Sequence, residues 1–95
     1  MSKKPRTVIP PDPSDLEDFA VSEAALARAQ MGRKIRRLRT GLGLTQEEFA
    51  HRYRIPVANI RQYEIGRTLP PPAVQAYLVV IEAEPVRTAK ALDAA

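Results

Sequence analysis

Cysteine is absent from the 95 residues, which removes disulfide stapling and any thiolate zinc site and suits a reducing cytoplasm. No apolar run approaches the roughly 20 residues of a membrane-spanning helix, and no signal-peptide pattern opens the chain. A cytoplasmic protein without membrane association is therefore expected. Strand signals are nearly absent, because the β-branched cluster Val79-Val80-Ile81 lies inside a longer helical period. The expected fold class is all-α. Reactive constellations are missing too. His51 is the single histidine and has none of the Asp, Glu or Cys spacing that a metal site or a triad requires, so it reads as an exposed helix residue. Glu47-Glu48 resembles a carboxylate pair, but neighbours on a helix do not face a common site. Without a nucleophile–base set, a glycine-rich phosphate loop or a metal cluster, the chain is read as no enzyme, with no cofactor and no metal.

A chain of this length makes one domain at most, with a small core. The formal charge of +4 understates how unevenly charge is distributed. Residues 24–70 carry ten Arg or Lys against three Glu, while Asp12, Asp15, Glu17, Asp18 and Glu23 put five negative charges into a twelve-residue stretch. Such a division points to one polyanionic and one basic partner, or to two segments of the chain attracting each other.

What is present is organised around Leu44 to Gly66, LTQEEFAHRYRIPVANIRQYEIG. Thr45 and Glu48 have capping-box spacing, in which the hydroxyl takes the amide three residues on and the carboxylate reaches back. Phe49, Ala50 and Tyr53 follow at helical spacing, so an amphipathic helix is predicted from Gln46 to about Arg52. Arg54-Ile55-Pro56 interrupts it, since proline cannot continue a helix and restricts its predecessor. A second helical period starts at once, with Ile60 and Tyr63 inward and Val57 a further candidate, and stops at Gly66. Two short helices, a tight turn and the small Ala50 where they would cross describe a helix-turn-helix. Ala58, Asn59, Arg61 and Gln62 lie on the outer side of the second helix, a face suited to the DNA major groove. Arg61 matches the paired acceptors of guanine, and Asn59 or Gln62 the acceptor–donor edge of adenine. An ordinary solvated helix surface is the alternative. Glu64 is expected to be a buried or half-buried partner of an arginine, with Arg36 and Arg67 as candidates.

The flanks have their own logic. Residues 1–21 contain four of the nine prolines, and the acidic run surrounds Leu16 and Phe19. This composition cannot bury enough apolar surface to order itself, so a flexible arm is expected, with Val8, Ile9, Leu16 and Phe19 spaced as anchors for a protein partner. Fold-back onto the domain or onto a twin subunit is the alternative. Residues 22–95 form the domain. Ser22 is a good N-cap for a helix with Ala24, Ala27, Met31, Ile35, Leu38 and Leu42 on one face. Gly32 weakens its middle by ~1 kcal/mol relative to Ala, and Gly41 and Gly43 compete as stops. Arg33, Lys34, Arg36, Arg37 and Arg39 place five cations in seven positions, more than solubility needs, which favours phosphate contact over mere solvation. Pro70-Pro71-Pro72 make a stiff corner, and the last can open a helix with Ala73, Val74, Tyr77, Leu78 and Ile81 inward. Pro85 stops that helix and begins a short final one to about Asp93, with Val86, Ala89 and Leu92 on one side. Too short to be stable alone, it must dock on its own domain or on a second copy.

The pattern LGLTQEEFA, followed nine residues later by IRQYEIGRTLP, resembles the lambda-repressor-like (Cro, XRE) helix-turn-helix proteins over about residues 32 to 84. The Thr-Gln pair, the Phe-Ala within the first motif helix and the aromatic-Glu-x-Gly-Arg end of the second carry the likeness. The acidic stretch before a basic helix, and the ending GRTLPPPAVQAYLVVIEAEPVRTAKAL, look like the HigA-type antitoxins of toxin–antitoxin operons. The resemblance implies a five-helix domain that forms a homodimer, binds a palindromic double-stranded operator, represses its own operon and neutralises a RelE-like ribonuclease toxin. It would put Gln46 against a phosphate at the start of the first motif helix. Val57, Ala58, Asn59, Arg61 and Gln62 would take the base-facing and groove-lining positions, and Arg67 and Thr68 would be backbone contacts beside Arg33, Arg36 and Arg37. Arg54 stands where many relatives have glycine, so either a left-handed backbone there costs ~1 kcal/mol or the turn differs. Pro56 replaces the usual capping Ser or Thr, which shifts base recognition toward Asn59, Arg61 and Gln62. A repressor without a toxin partner, and an adaptor using the helix-turn-helix as scaffold, remain open.

Overall fold

The computed structural model describes residues 22–95, and among them the chain forms helices α1 (Glu23–Gly41), α2 (Gln46–Tyr53), α3 (Val57–Glu64), α4 (Pro72–Ala83) and α5 (Pro85–Ala94), with no strand. The expected all-α, five-helix architecture is what is found. Val8, Ile9, Leu16 and Phe19, the anchors read in residues 1–21, lie outside the described residues.

Local signals set most of the boundaries. Ser22 Oγ accepts the Ala25 amide at 3.0 Å and opens α1. That helix ends at Gly41, and Gly43, at φ +74°, turns the chain toward α2. The capping box of α2 is complete: the Glu48 amide donates to Thr45 Oγ1 at 3.0 Å, and the Thr45 amide to Glu48 Oε1 at 2.9 Å. The helix runs to Tyr53, one residue beyond the sequence expectation. Arg54 does adopt the left-handed backbone, at φ 61° and ψ 40°. Its Nη2 donates to the Leu92 carbonyl at 3.2 Å, so the strained turn is tied to the end of α5. Pro56 precedes α3 without a side-chain cap, and Pro72 and Pro85 occupy the first turns of α4 and α5, where a missing amide leaves no helical bond unmade.

The core consists of Ile35 from α1, Leu44, Phe49, Ala50 and Tyr53 around α2, Ile55, Ile60 and Tyr63 around α3, and Leu78 and Ile81 from α4. Phe49 and Tyr53 stack tilted, ring centroids 5.0 Å apart. Two tyrosines tie the C-terminal helices to the motif: Tyr77 donates to the Tyr53 carbonyl at 2.7 Å, and Tyr53 to the Pro85 carbonyl at 3.0 Å. Burial also pushes the Tyr77 phenol above its ordinary pKa. Four inward assignments fail. Ala24, Ala27 and Ala73 are exposed, because the opening turn of α1 runs past the packed residues and α4 turns its first alanine outward. Val86 is 67% exposed, leaving the half-buried Ala89 and Leu92 to dock α5.

Gly32 has a role that helix propensity does not convey. A Cβ there would lie 2.6 Å from the Tyr63 carbonyl oxygen and 2.7 Å from that of Glu64. The backbones of α1 and α3 cross at this point, so the missing side chain sets how closely the long helix backs the motif.

Candidate nucleic-acid interface

Helix α3 buries Ile60, Tyr63 and Glu64 and turns Ala58, Asn59 and Arg61 to solvent, with Val57 and Gln62 half-buried at the margins. Its amino end is held by the Asn59 amide on the Pro56 carbonyl at 2.9 Å. Beyond its carboxyl end, Gly66 at φ +77° reverses the chain, and the Arg67 amide returns to the Gln62 carbonyl at 3.0 Å. Arg28 of α1 donates Nε to the Gly66 carbonyl at 3.0 Å. Arg67 and Thr68, which follow, are exposed. The outward face is thus carried on a helix that is pinned at both ends.

Behind that face lies a buried charge. The Glu64 side chain is 0% exposed and accepts two bonds from Arg39, Nε to Oε2 at 2.7 Å and Nη2 to Oε1 at 2.9 Å. Gln46 donates Nε2 to Oε1 at 3.1 Å, and Arg36 stands 3.7 Å away. Arg39 also reaches the Leu44 carbonyl through Nη1 at 3.0 Å. The carboxylate therefore clasps α1, α2 and α3 at one point. Burial pushes its pKa up, but the bonds from Arg39 and Gln46 and the charges of Arg39 and Arg36 outweigh burial and hold it below the usual carboxylate range. The bond to Glu64 in turn raises the Arg39 pKa.

The expected partners of Glu64 were Arg36 and Arg67. Arg36 does pair with it at 3.7 Å while staying 57% exposed, Arg67 does not, and the main partner is Arg39. Arg39 follows Gly32 and Ile35 at helical steps, so it falls on the stripe that faces the motif; the period marks that stripe but not which residue on it reaches Glu64. Gln46 sits at the head of α2 as expected, half-buried, with its amide nitrogen given to Glu64.

A family model described as "Helix-turn-helix domain" matches residues 30–91. The chain belongs to that helix-turn-helix family. No curated protein and no solved structure matches it. The family is one of DNA-binding regulators, and the match supports the XRE-like part of the resemblance.

Within this helix-turn-helix protein the remaining cations of α1 do not share one side. At about 100° per residue, Arg36 lies roughly 40° round the helix from Gly32, Arg33 about 100°, and Arg37 about 140°. Arg36 therefore borders the motif. Lys34 and Arg37 instead line a groove of about 380 Å³ between α1 and α4, with Met31, Leu38, Val79 and Glu82 among its walls. Clustering along the chain did not become clustering in space, because seven positions span nearly two helical turns.

One pairing on the outer face had no sequence signal. Arg61 donates Nη2 to Glu47 Oε2 at 2.6 Å, linking the outward face of α3 to the first turn of α2. The Glu47 carboxyl lies below its ordinary pKa, chiefly through a bond from its own backbone amide and then through Arg61. His51 is exposed, as expected for a helix residue without partners of metal-ligand type.

Proposed function

We propose that the chain is a cytoplasmic, homodimeric repressor of its own operon that also neutralises a RelE-like ribonuclease toxin. In this reading α3 enters the major groove. Asn59, Arg61 and Gln62 read base edges, and Val57 or Ala58 meets a thymine methyl. Gln46, Arg33, Arg36, Arg67 and Thr68 are the backbone contacts; Arg37, read as one from the sequence, instead lines the α1–α4 groove. The division of labour is residues 1–21 for the toxin, through Val8, Ile9, Leu16 and Phe19, and residues 22–95 for DNA and for the subunit contact.

The observation that carries the DNA half is the two-sidedness of α3. Ile60 and Tyr63 are 0% and 5% exposed, whereas Ala58, Asn59 and Arg61 face solvent on the same two turns. The toxin half draws on the acidic stretch before a basic domain and on the HigA-type likeness of the sequence.

The DNA half is tested with duplex enriched by the protein from a randomised pool. Arg61→Ala should lose ~1–3 kcal/mol and relax preference at one base position. Binding should also fall by ~10³ or more between low and physiological salt if six to ten phosphates are neutralised. Unchanged affinity and preference in the variant would refute the reading. For the toxin half, co-expression with the product of the adjacent gene should yield a complex, and removal of residues 1–21 should abolish protection while sparing DNA binding. Equal protection by the shortened chain would reject the arm's role. A dimer should set its reading helices about 34 Å apart, and a stable monomer at micromolar concentration would count against it.

A further inference from the structure

We infer that Glu47 is a specificity-determining residue, holding Arg61 for a base edge and keeping it off the phosphates. This rests on α3 reading the major groove, as proposed above, and extends that reading to a residue of α2.

Arg61 and Glu47 meet at 2.6 Å while their side chains remain 49% and 66% exposed. An ion pair between such open partners adds little to stability, so its location is the informative part. Arg61 is the single cation in the sequence of α3, VANIRQYE, and stands on its outward side. An unrestrained arginine beside a duplex finds phosphate oxygens, which surround every sequence alike. A neighbouring carboxylate opposes that in two ways. It draws the guanidinium away from the sugar-phosphate rails, and it is itself repelled by them, so phosphate-only binding leaves Glu47 unpaired beside a polyanion.

The pair still leaves Arg61 able to read a base. One bond through Nη2 spends one of the five donor hydrogens of the guanidinium, and a two-donor edge remains for guanine O6 and N7. A carboxylate also accepts from the N4 amino group of cytosine. The two side chains together therefore fit a guanine with a cytosine nearby. Against other sequences the carboxylate is a penalty, and specificity arises from that difference rather than from added attraction.

The test compares the full-length chain with Glu47→Gln and Glu47→Ala. Each binds the duplex that the wild type enriches and a shuffled duplex of the same composition, across a salt series. Both variants should bind the shuffled duplex ~10-fold more tightly and lose a similar factor in the specificity ratio, the scale of one base contact. Their salt dependence on the shuffled duplex should steepen by ~0.9 in log–log slope, as for one added phosphate contact. A purely structural role would move neither the ratio nor the slope. Ratio and slope unchanged in both variants, with melting like the wild type, would overturn the role of Glu47 and leave groove reading by α3 standing. A wild type that enriches no sequence would overturn both.

Discussion

Replacing Glu64 with alanine should be among the most damaging single changes to this domain, and the structure supplies the size of the effect. The carboxylate is 0% exposed and holds Arg39, whose side chain is 14% exposed, through bonds of 2.7 and 2.9 Å. Removing one member of a buried ion pair strands the other charge and costs about 3–5 kcal/mol. Arg39 keeps some solvent and its bond to the Leu44 carbonyl at 3.0 Å, which places the loss near the lower end, ~3 kcal/mol. With a urea slope of ~1 kcal/mol/M for a small domain, the midpoint should fall by ~3 M. Far-UV circular dichroism across a urea series reads this directly. The double variant Arg39→Met/Glu64→Leu should lose less than Glu64→Ala alone, because no charge is stranded. Dependence on pH gives an independent check. The pKa of Glu64 is lowered on folding, so its contribution is complete above the unfolded value of about 4.3 and is lost as pH falls through the lower folded value. The gap between wild type and Glu64→Ala should therefore narrow on acidification below about pH 4. A loss under ~1 kcal/mol at neutral pH, the size of an exposed pair, would refute the clasp.

Other changes probe single features. Gly32→Ala should destabilise by ~1–3 kcal/mol despite alanine's better helix propensity, since its Cβ would meet the Tyr63 and Glu64 carbonyls at 2.6 and 2.7 Å. A thermal melt reads it, and a stabilised variant would contradict the close crossing. Thr45→Ala removes the acceptor for the Glu48 amide at 3.0 Å and should lose ~1 kcal/mol. Amide exchange in α2 should quicken with it, and unchanged protection there would argue against the cap.

Much of the architecture could be read from neighbours along the chain. Thr45 and Glu48, Ser22, Gly43, Gly66, Pro72 and Pro85 act within three or four residues of themselves, so they mark the ends of helices wherever those helices later pack. The inward period Phe49, Ala50, Tyr53, Ile60 and Tyr63 was equally plain, because burial on one face imposes its own spacing. The left-handed Arg54 was one of two outcomes that the resemblance left open, because many relatives carry glycine at that place. What failed were the ends of apolar stripes, Ala24, Ala27, Ala73 and Val86, where periodicity continues after the facing helix has stopped.

Sequence alone therefore determined the class, most helix boundaries and the outward placement of Ala58, Asn59 and Arg61 on α3, since each depends on short-range steric and hydrogen-bonding rules. Tertiary structure decided which arginine meets Glu64, twenty-five residues away, and which carboxylate meets Arg61, fourteen residues away. It also decided that Arg37 faces the α1–α4 groove and that Gly32 is a crossing point. These outcomes follow from how α1, α2, α3 and α4 are rotated and spaced against one another. No window of neighbouring residues contains that geometry.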